Sequence, residues 1–544
     1  MTSLPPVPAA RLRALAPWAV GLLAIVVYAN ALHNGFALDD EGIIVRSDVV
    51  HHLSGVWRAF VTPYWPNGAG QYRPLVIASF SLEWAAWSTQ PHGYHALNLL
   101  WHAAASVLVY AFLRRWLSVG GSAIAAALFA VHPVHVEAVS NIVGRAELMA
   151  ACGILATLIL HARRSPWAVV TFALALLSKE HALLAPVLAG GLDLVDPEPP
   201  DRDDRDGSKA RARRRRLLSL YAAYAGVAVL WGGAVAWNFR GRPFAAVDPF
   251  WTTIDARTRV LTVLGIVPTW VRLWFFPHDL SSDYSPRVID SWPANAPAAL
   301  LGASILLFAC ALVLALRRRS RPALIAVAWM AITMLPVANL LVPTGVIVGE
   351  RTLYLSSVGA VMLLGLGLEW MARSRLTVAL AATGAMMLAA GVRTWTRTPV
   401  WRSNRALFLE TIRAHPEASW THVLLARVYV GNGGLQDALR EYRIALAMFD
   451  RNPVTVAEAI YAAGRAREYA FADSVVAHAQ LTLKSDYLLD VAHSYIAFEQ
   501  HRYAESLRAA QQATAPCPSF REATSIRLLS ALRPACARPT RKKC

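Results

Sequence analysis

Long apolar runs alternate with short basic clusters over the first 390 or so residues. Runs near 15–32, 95–113, 122–137, 147–162, 166–179, 181–195, 217–238, 297–316, 322–339, 353–371 and 376–392 predict helices, about 11 bilayer spans. The run 75–87 is too short to span and carries Glu83, so it reads as a helix on the outer surface. The run 259–276 breaks the alternation and reads as interfacial or re-entrant.

The basic clusters orient these runs. Arg11 and Arg13, Arg114 and Arg115, Arg163 and Arg164, Arg211 to Arg216, Arg317 to Arg321, and Arg373 with Arg375 fall at alternate helix ends. Basic residues collect on the cytoplasmic side, which puts these ends and the loop 196–216 inside. The loop Asn34 to Arg73 and everything beyond Arg393 are then outside.

Beyond Ser419 the apolar content falls and a period of about 34 residues emerges. Leu425, Ala426, Tyr429, Ala438, Tyr442 and Ala445 stand at the signature positions of a tetratricopeptide unit, with small residues at Ala426, Ala438 and Ala445 and aromatic ones at Tyr429 and Tyr442. Ala472 and Ala479 mark a degraded second unit; Ala492, Tyr495, Ala504 and Pro516 mark a third. Small residues at these positions let paired helices approach, and such a solenoid offers a groove for a protein partner. The expected parts are a membrane domain 1–395, a connector 396–418, repeats 419–518 and a basic tail 519–544. The fold class is all-α: a polytopic helical bundle followed by an α-solenoid.

Composition sharpens this picture. The 544 residues are 56% hydrophobic and 16% charged, against roughly 25% charged in soluble proteins. That excludes a large soluble enzyme. The net charge of +18 belongs to scattered loop clusters, which fits topology and not a nucleic-acid surface. Five cysteines make no disulfide framework, although Cys517 and Cys536 lie outside and could pair. No cleavage site follows the first apolar run, so it is expected to stay as a helix. Abundant Arg and Ala with few Lys point to a high-GC bacterium, where this is an inner-membrane protein with its repeats in the periplasm; in a eukaryote the membrane would be the endoplasmic reticulum.

Ionisable groups at membrane depth mark function by default, and here they gather at the outer face. Asp39 and Asp40 follow the first helix, where burial could bring a carboxylate to a useful pKa. Tyr72 and Arg73 precede Pro74 at a helix start, and Arg73 suits a phosphate. His132, His135 and Glu137, then Arg145 and Glu147, crowd one turn. Lys179 and Glu180 stand at the next, and Glu350 and Arg351 at a later one. Asp40 with His132 could take a divalent metal, though His-x-x-His spacing is a weak metal signal; no other cofactor motif is present. Each group also has a plain reading as a solvated loop or lipid anchor. Together they suit a substrate with a lipid tail in the bilayer and a phosphate head at the interface.

The runs Gly35-Phe36-Ala37-Leu38-Asp39-Asp40, Tyr72-Arg73-Pro74-Leu75, His95-x-x-Asn98-x-x-x-His102, Phe129 to Val139, Gly144-Arg145-Ala146-Glu147, Lys179-Glu180, Leu280 to Tyr284 and Glu350 to Leu355 resemble the transmembrane O-mannosyltransferases with tetratricopeptide repeats. The resemblance implies a GT-C fold and a polyprenyl-phosphate-linked sugar donor. It implies a protein or glycan hydroxyl as acceptor, and inverting transfer. It places the active-site acids on Asp39, as base, and Asp40. Arg73, Arg145 and Arg351 would serve the donor phosphate, supported by Tyr72, His132, His135, Glu137, Lys179, Glu180 and Glu350. A non-catalytic scaffold for envelope assembly explains the repeats but not the polar cluster. A transporter would keep such groups near the midplane.

Overall fold

A computed structural model describes residues 9–65, 70–195, 208–240, 248–483 and 486–514. Among them every regular element is helical. Two compact units form. The first comprises Met1–Asp248, Ala256–Ser282 and Ser291–Leu407; the second comprises Pro249–Asp255, Asp283–Asp290 and Phe408–Cys544.

Among the described residues of the first unit, six helices are long and apolar enough to cross a membrane: Arg13–His33, Pro91–Leu113, Ile142–Ala162, Ser208–Asn238, Ala296–Leu316 and Leu376–Arg402. The pair Val119–Ala130 and Pro133–Ser140, bent by 47°, counts as a seventh if taken as one span. Pro133 has no N–H and pushes the residue before it out of the helical region; His132 is accordingly extended, with ψ 123°. The remaining runs form shorter helices: Trp167–Leu176, Leu184–Val195, Arg321–Met334 and Ser357–Ala372, of 10, 12, 14 and 16 residues. A straight crossing needs about 20. The expected run 322–339 stops at Met334, two residues before Pro336.

The outward sides of the long helices are apolar. Leu300, Leu307 and Phe308 of Ala296–Leu316 and Leu380, Leu388 and Val392 of the last helix are all exposed. In water such a surface would be a liability; against lipid it is the expected face. The interior is built from small residues, among them Ala103, Ala105, Ala125, Ala126, Ala150 and Ala151, which let backbones approach. The helix Pro74–Trp87 is not laid on a surface. It buries Val76, Ile77, Phe80 and Glu83, its apolar residues packing with Tyr94, Ile142, Val143 and Ala146.

The second unit carries six consecutive helices: Ser419–Gly431, Leu435–Met448, Pro453–Ala466, Tyr469–Thr482, Tyr487–Glu499 and Tyr503–Thr514. Leu425, Ala426, Ala438, Tyr442, Ala445, Ala472, Ala479 and Ala492 are buried, as the repeat spacing predicts. Ala504 is exposed; Ser506, Ala509 and Ala510 take the core face, and Ser506 bonds Ser494. The segment Asp283–Asp290 belongs to this unit. Asp283 accepts from the Thr421 N–H and hydroxyl at 2.8 and 2.7 Å, satisfying a free N–H at the start of the first helix. Pro516, the cysteines Cys517, Cys536 and Cys544, the basic tail, and 196–207 of the inside loop lie outside the described residues.

Candidate functional site

The first long helix ends in a short 3-10 turn, Ala29–His33, and the chain then turns back at Leu38, whose φ of +54° lies in the left-handed region. That turn sends the two adjacent acids in different directions. The Asp39 side chain keeps 23% of its surface exposed, and its Oδ2 accepts from Arg351 Nη1 at 2.9 Å. Asp40 is fully buried. Its Oδ2 accepts from the Ala37 N–H at 3.1 Å and the Ile142 N–H at 3.3 Å, and its Oδ1 from the Val143 N–H at 2.9 Å. Burial pushes its carboxyl up to about 7, against the pull of those three amides. Asp40 thus ties the first loop to the turn before Arg145, while Asp39 faces outward.

Arg351 sits in the 3-10 turn Glu350–Leu353. Its backbone N–H donates to Glu137 Oε2 at 2.9 Å, and its Nε lies 3.5 Å from Glu137 Oε1. Burial works against its charge, but Asp39 and Glu137 outweigh burial and raise its pKa. Arg73, at the start of Pro74–Trp87, grips Glu180 with two donors, Nε at 3.1 Å and Nη2 at 2.7 Å. Burial favours the neutral Glu180 carboxyl; the Arg73 pair overrides it and holds the pKa down at about 2. Lys179 bonds Glu147, and His181 Nδ1 lies 3.6 Å from the same carboxylate. Glu147 is in electrostatic reach of both Arg73 and Arg351. Asp39, Arg351, Glu137, Glu147, Lys179, Glu180 and Arg73 therefore form one continuous charged cluster from five chain segments.

Other residues singled out by sequence point elsewhere. Arg145 is fully buried; it bonds Glu83, donates to Asn98 Oδ1 at 2.8 Å and to the Tyr94 carbonyl at 2.9 Å. Its guanidinium ties the helices Pro74–Trp87 and Pro91–Leu113 to its own. Tyr72 donates to the Phe60 carbonyl at 3.0 Å. Glu350 accepts from the Ser281 N–H at 2.6 Å. His135 Nε2 pairs with the Ser357 hydroxyl at 2.8 Å. His132 donates from Nε2 to the Trp274 carbonyl at 3.0 Å and accepts the Val134 N–H at Nδ1, 3.3 Å.

Asp40 and His132 do not fit a divalent metal. Both Asp40 oxygens receive amide hydrogens, and both His132 nitrogens are engaged. Among the described residues no group of three His, Cys, Asp or Glu side chains is arranged to hold one.

Sequence reasoning missed Tyr64. Its ring lies under the Arg73 guanidinium, 5.0 Å from centroid to Cζ, and only 3% of the residue is exposed. Its hydroxyl has no hydrogen-bond partner among the described residues, although Arg73, Asp39 and Arg351 are within electrostatic reach. The one sequence signal was an aromatic pair, Tyr64-Trp65, just upstream of Tyr72-Arg73.

Comparison with known proteins adds a second line of argument. Protein O-mannosyl-transferase Tmtc1 of Drosophila melanogaster is 30% identical over 528 residues, covering 78% of this chain and 60% of that protein. The chain is a relative of the protein O-mannosyl-transferases. Protein O-mannosyl-transferase F38B6.6 of Caenorhabditis elegans is 26% identical over 449 residues, covering 78% of the chain and 61% of the relative. Protein O-mannosyl-transferase TMTC3 of Homo sapiens is 26% identical over 439 residues, covering 73% and 47%. The chain thus spans about half to three-fifths of the length of these relatives. No family model and no solved structure matches it.

Proposed function

We propose that the protein is a membrane glycosyltransferase that moves a mannose-like sugar from a polyprenyl-phosphate donor to a protein Ser or Thr hydroxyl, on the face of the membrane opposite the basic loops. The observation that carries this reading is the Asp39–Arg351–Glu137 arrangement beside Arg73 and Tyr64, in a chain whose relatives are named protein O-mannosyl-transferases. In the proposed reaction the acceptor oxygen attacks the anomeric carbon. The carbon–oxygen bond to the lipid phosphate breaks, and the hydroxyl proton passes to Asp39. The leaving phosphate monoester gains negative charge, and Arg351 and Arg73 stabilise it. One displacement inverts the anomeric centre. No protein nucleophile is needed.

The roles divide by environment. Asp39 is the base because it is the accessible acid, and Arg351 holds its carboxylate in place at 2.9 Å. Asp40 positions it from the buried side. Arg145 serves by holding Glu83 and Asn98. The GT-C fold, the polyprenyl donor, the outer location and partner binding by the repeats belong to this proposal. The test is transfer of label from polyprenyl-phosphate mannose to acceptor peptides by the purified protein in lipid. Transfer that disappears in Asp39→Asn supports it, and no transfer to any Ser or Thr peptide counts against it.

A further inference from the structure

The first exit loop is laced to the segment that leaves the last long helix. Asn30 Nδ2 donates to the Trp395 carbonyl at 2.8 Å, Asn34 Nδ2 to the Thr398 carbonyl at 3.0 Å, and the Gly35 N–H to the Arg402 carbonyl at 3.0 Å. Gly35 is required here, since a Cβ would come 2.9 Å from the Arg402 oxygen. The lacing ends at Asn404. Its Oδ1 accepts the Leu38 N–H at 2.6 Å, and its Nδ2 donates to Glu41 Oε1 at 2.8 Å. One carboxamide therefore bridges the two residues that flank Asp39-Asp40.

We propose that Asn404 is a positioning residue for Asp39, holding the acid loop at the angle that presents the Asp39 carboxylate to Arg351 and the acceptor. Three observations support this. Leu38 occupies a left-handed conformation that a residue with a Cβ adopts only when its surroundings impose it. Its N–H, which fixes that turn, is satisfied by Asn404 and by no helix or strand ladder. The other end of the carboxamide holds Glu41, where the turn continues into the helical stretch Glu41–Val45. Asn404 itself opens the helix Asn404–Ala414, which leads along the chain toward the repeats. The acid loop is thus fastened to the last stretch of chain before the repeats, 366 residues downstream of Leu38. The assignment rests on Asp39 being the base, as proposed above.

The test uses the full chain in lipid nanodiscs, with Asn404→Ala and the isosteric Asn404→Asp. With polyprenyl-phosphate mannose as donor, Asn404→Ala should lower kcat roughly tenfold to a hundredfold, the scale of misplacing a catalytic group by about an ångström, with donor KM within about twofold. Asn404→Asp still accepts from Leu38 but faces Glu41 as a like charge. It keeps the Leu38 bond but loses the donor to Glu41, whose other oxygen Arg46 holds at 2.8 Å, so its kcat should lie between wild type and Asn404→Ala. Hydrogen exchange of the amides over 36–43 should accelerate in Asn404→Ala. Unchanged kcat together with unchanged exchange overturns the proposal. If the wild type transfers no sugar, the transferase reading fails by itself, and the exchange measurement alone decides whether Asn404 holds the loop.

Discussion

Arg351→Gln should destabilise the first unit and should be rescued by a second change at Glu137. Arg351 carries two carboxylates of different exposure. Asp39 keeps 23% of its side chain exposed, so that pair alone is worth about 1 kcal/mol or less. Glu137 keeps only 6%. Removing the guanidinium strands a buried negative charge, for which the cost in comparable sites is about 3–5 kcal/mol. The Arg351 backbone N–H still bonds Glu137 in any variant. The expected loss is therefore lower, about 2–3 kcal/mol. In Arg351→Gln with Glu137→Gln the stranded charge is gone, and stability should return to within about 1 kcal/mol of wild type. The assay is reversible unfolding of the full chain in mixed micelles, comparing wild type, both single variants and the double variant. Equal destabilisation of Arg351→Gln and the double variant would refute the reasoning, because the cost would then come from lost packing.

Three further expectations follow from the same geometry. Tyr64→Phe keeps the ring under Arg73 and removes only the unpaired hydroxyl, so donor KM should rise about fivefold to tenfold, roughly one hydrogen bond, with the fold intact by unfolding midpoint; an unchanged KM would take the hydroxyl out of the site. Asp40 is pushed up to about 7 in the fold, so the fold binds a proton that the unfolded chain, at about 3.9, has already lost. Stability should therefore fall as pH rises from about 4 to about 7, and Asp40→Asn should flatten that slope; an equal slope in both proteins contradicts it. For sidedness, Ser208→Cys and Ser403→Cys in sealed vesicles should react with an impermeant thiol reagent from opposite sides; labelling from the same side would overturn the orientation.

The helices were legible because lipid-facing segments need long apolar runs, and the basic clusters punctuate them. Prolines punctuate the runs: Pro133 kinks the span it lies in, as a proline there should, whereas Pro336 ends another run earlier than expected. The repeat spacing placed the small residues of the first two helix pairs correctly. It failed at Ala504, where the last helix turns a different face inward. In the site, the residue types were readable but their pairings were not. Arg73 meets Glu180 across 107 positions and Arg351 meets Asp39 across 312, separations that no local spacing encodes. The resemblance puts Arg145 at the donor phosphate, whereas the structure buries it against Glu83. Its partner Glu83 looked like a surface charge. Each is explained by the other once the helix Pro74–Trp87 is packed inside. Tyr64 and Asn404 carried no charge signal, and only their contacts single them out.

The central claim is that Asp39 takes the acceptor proton during transfer from a lipid phosphate. The most direct measurement is single-turnover transfer from labelled polyprenyl-phosphate mannose to a Ser or Thr peptide by wild type and Asp39→Asn, with donor binding measured on the same preparations. Asn keeps the volume and an acceptor oxygen but cannot take a proton. The account predicts unchanged donor binding within about threefold and a transfer rate lower by about 10² to 10⁴. Wild-type transfer rates in a folded, inserted Asp39→Asn protein would contradict it.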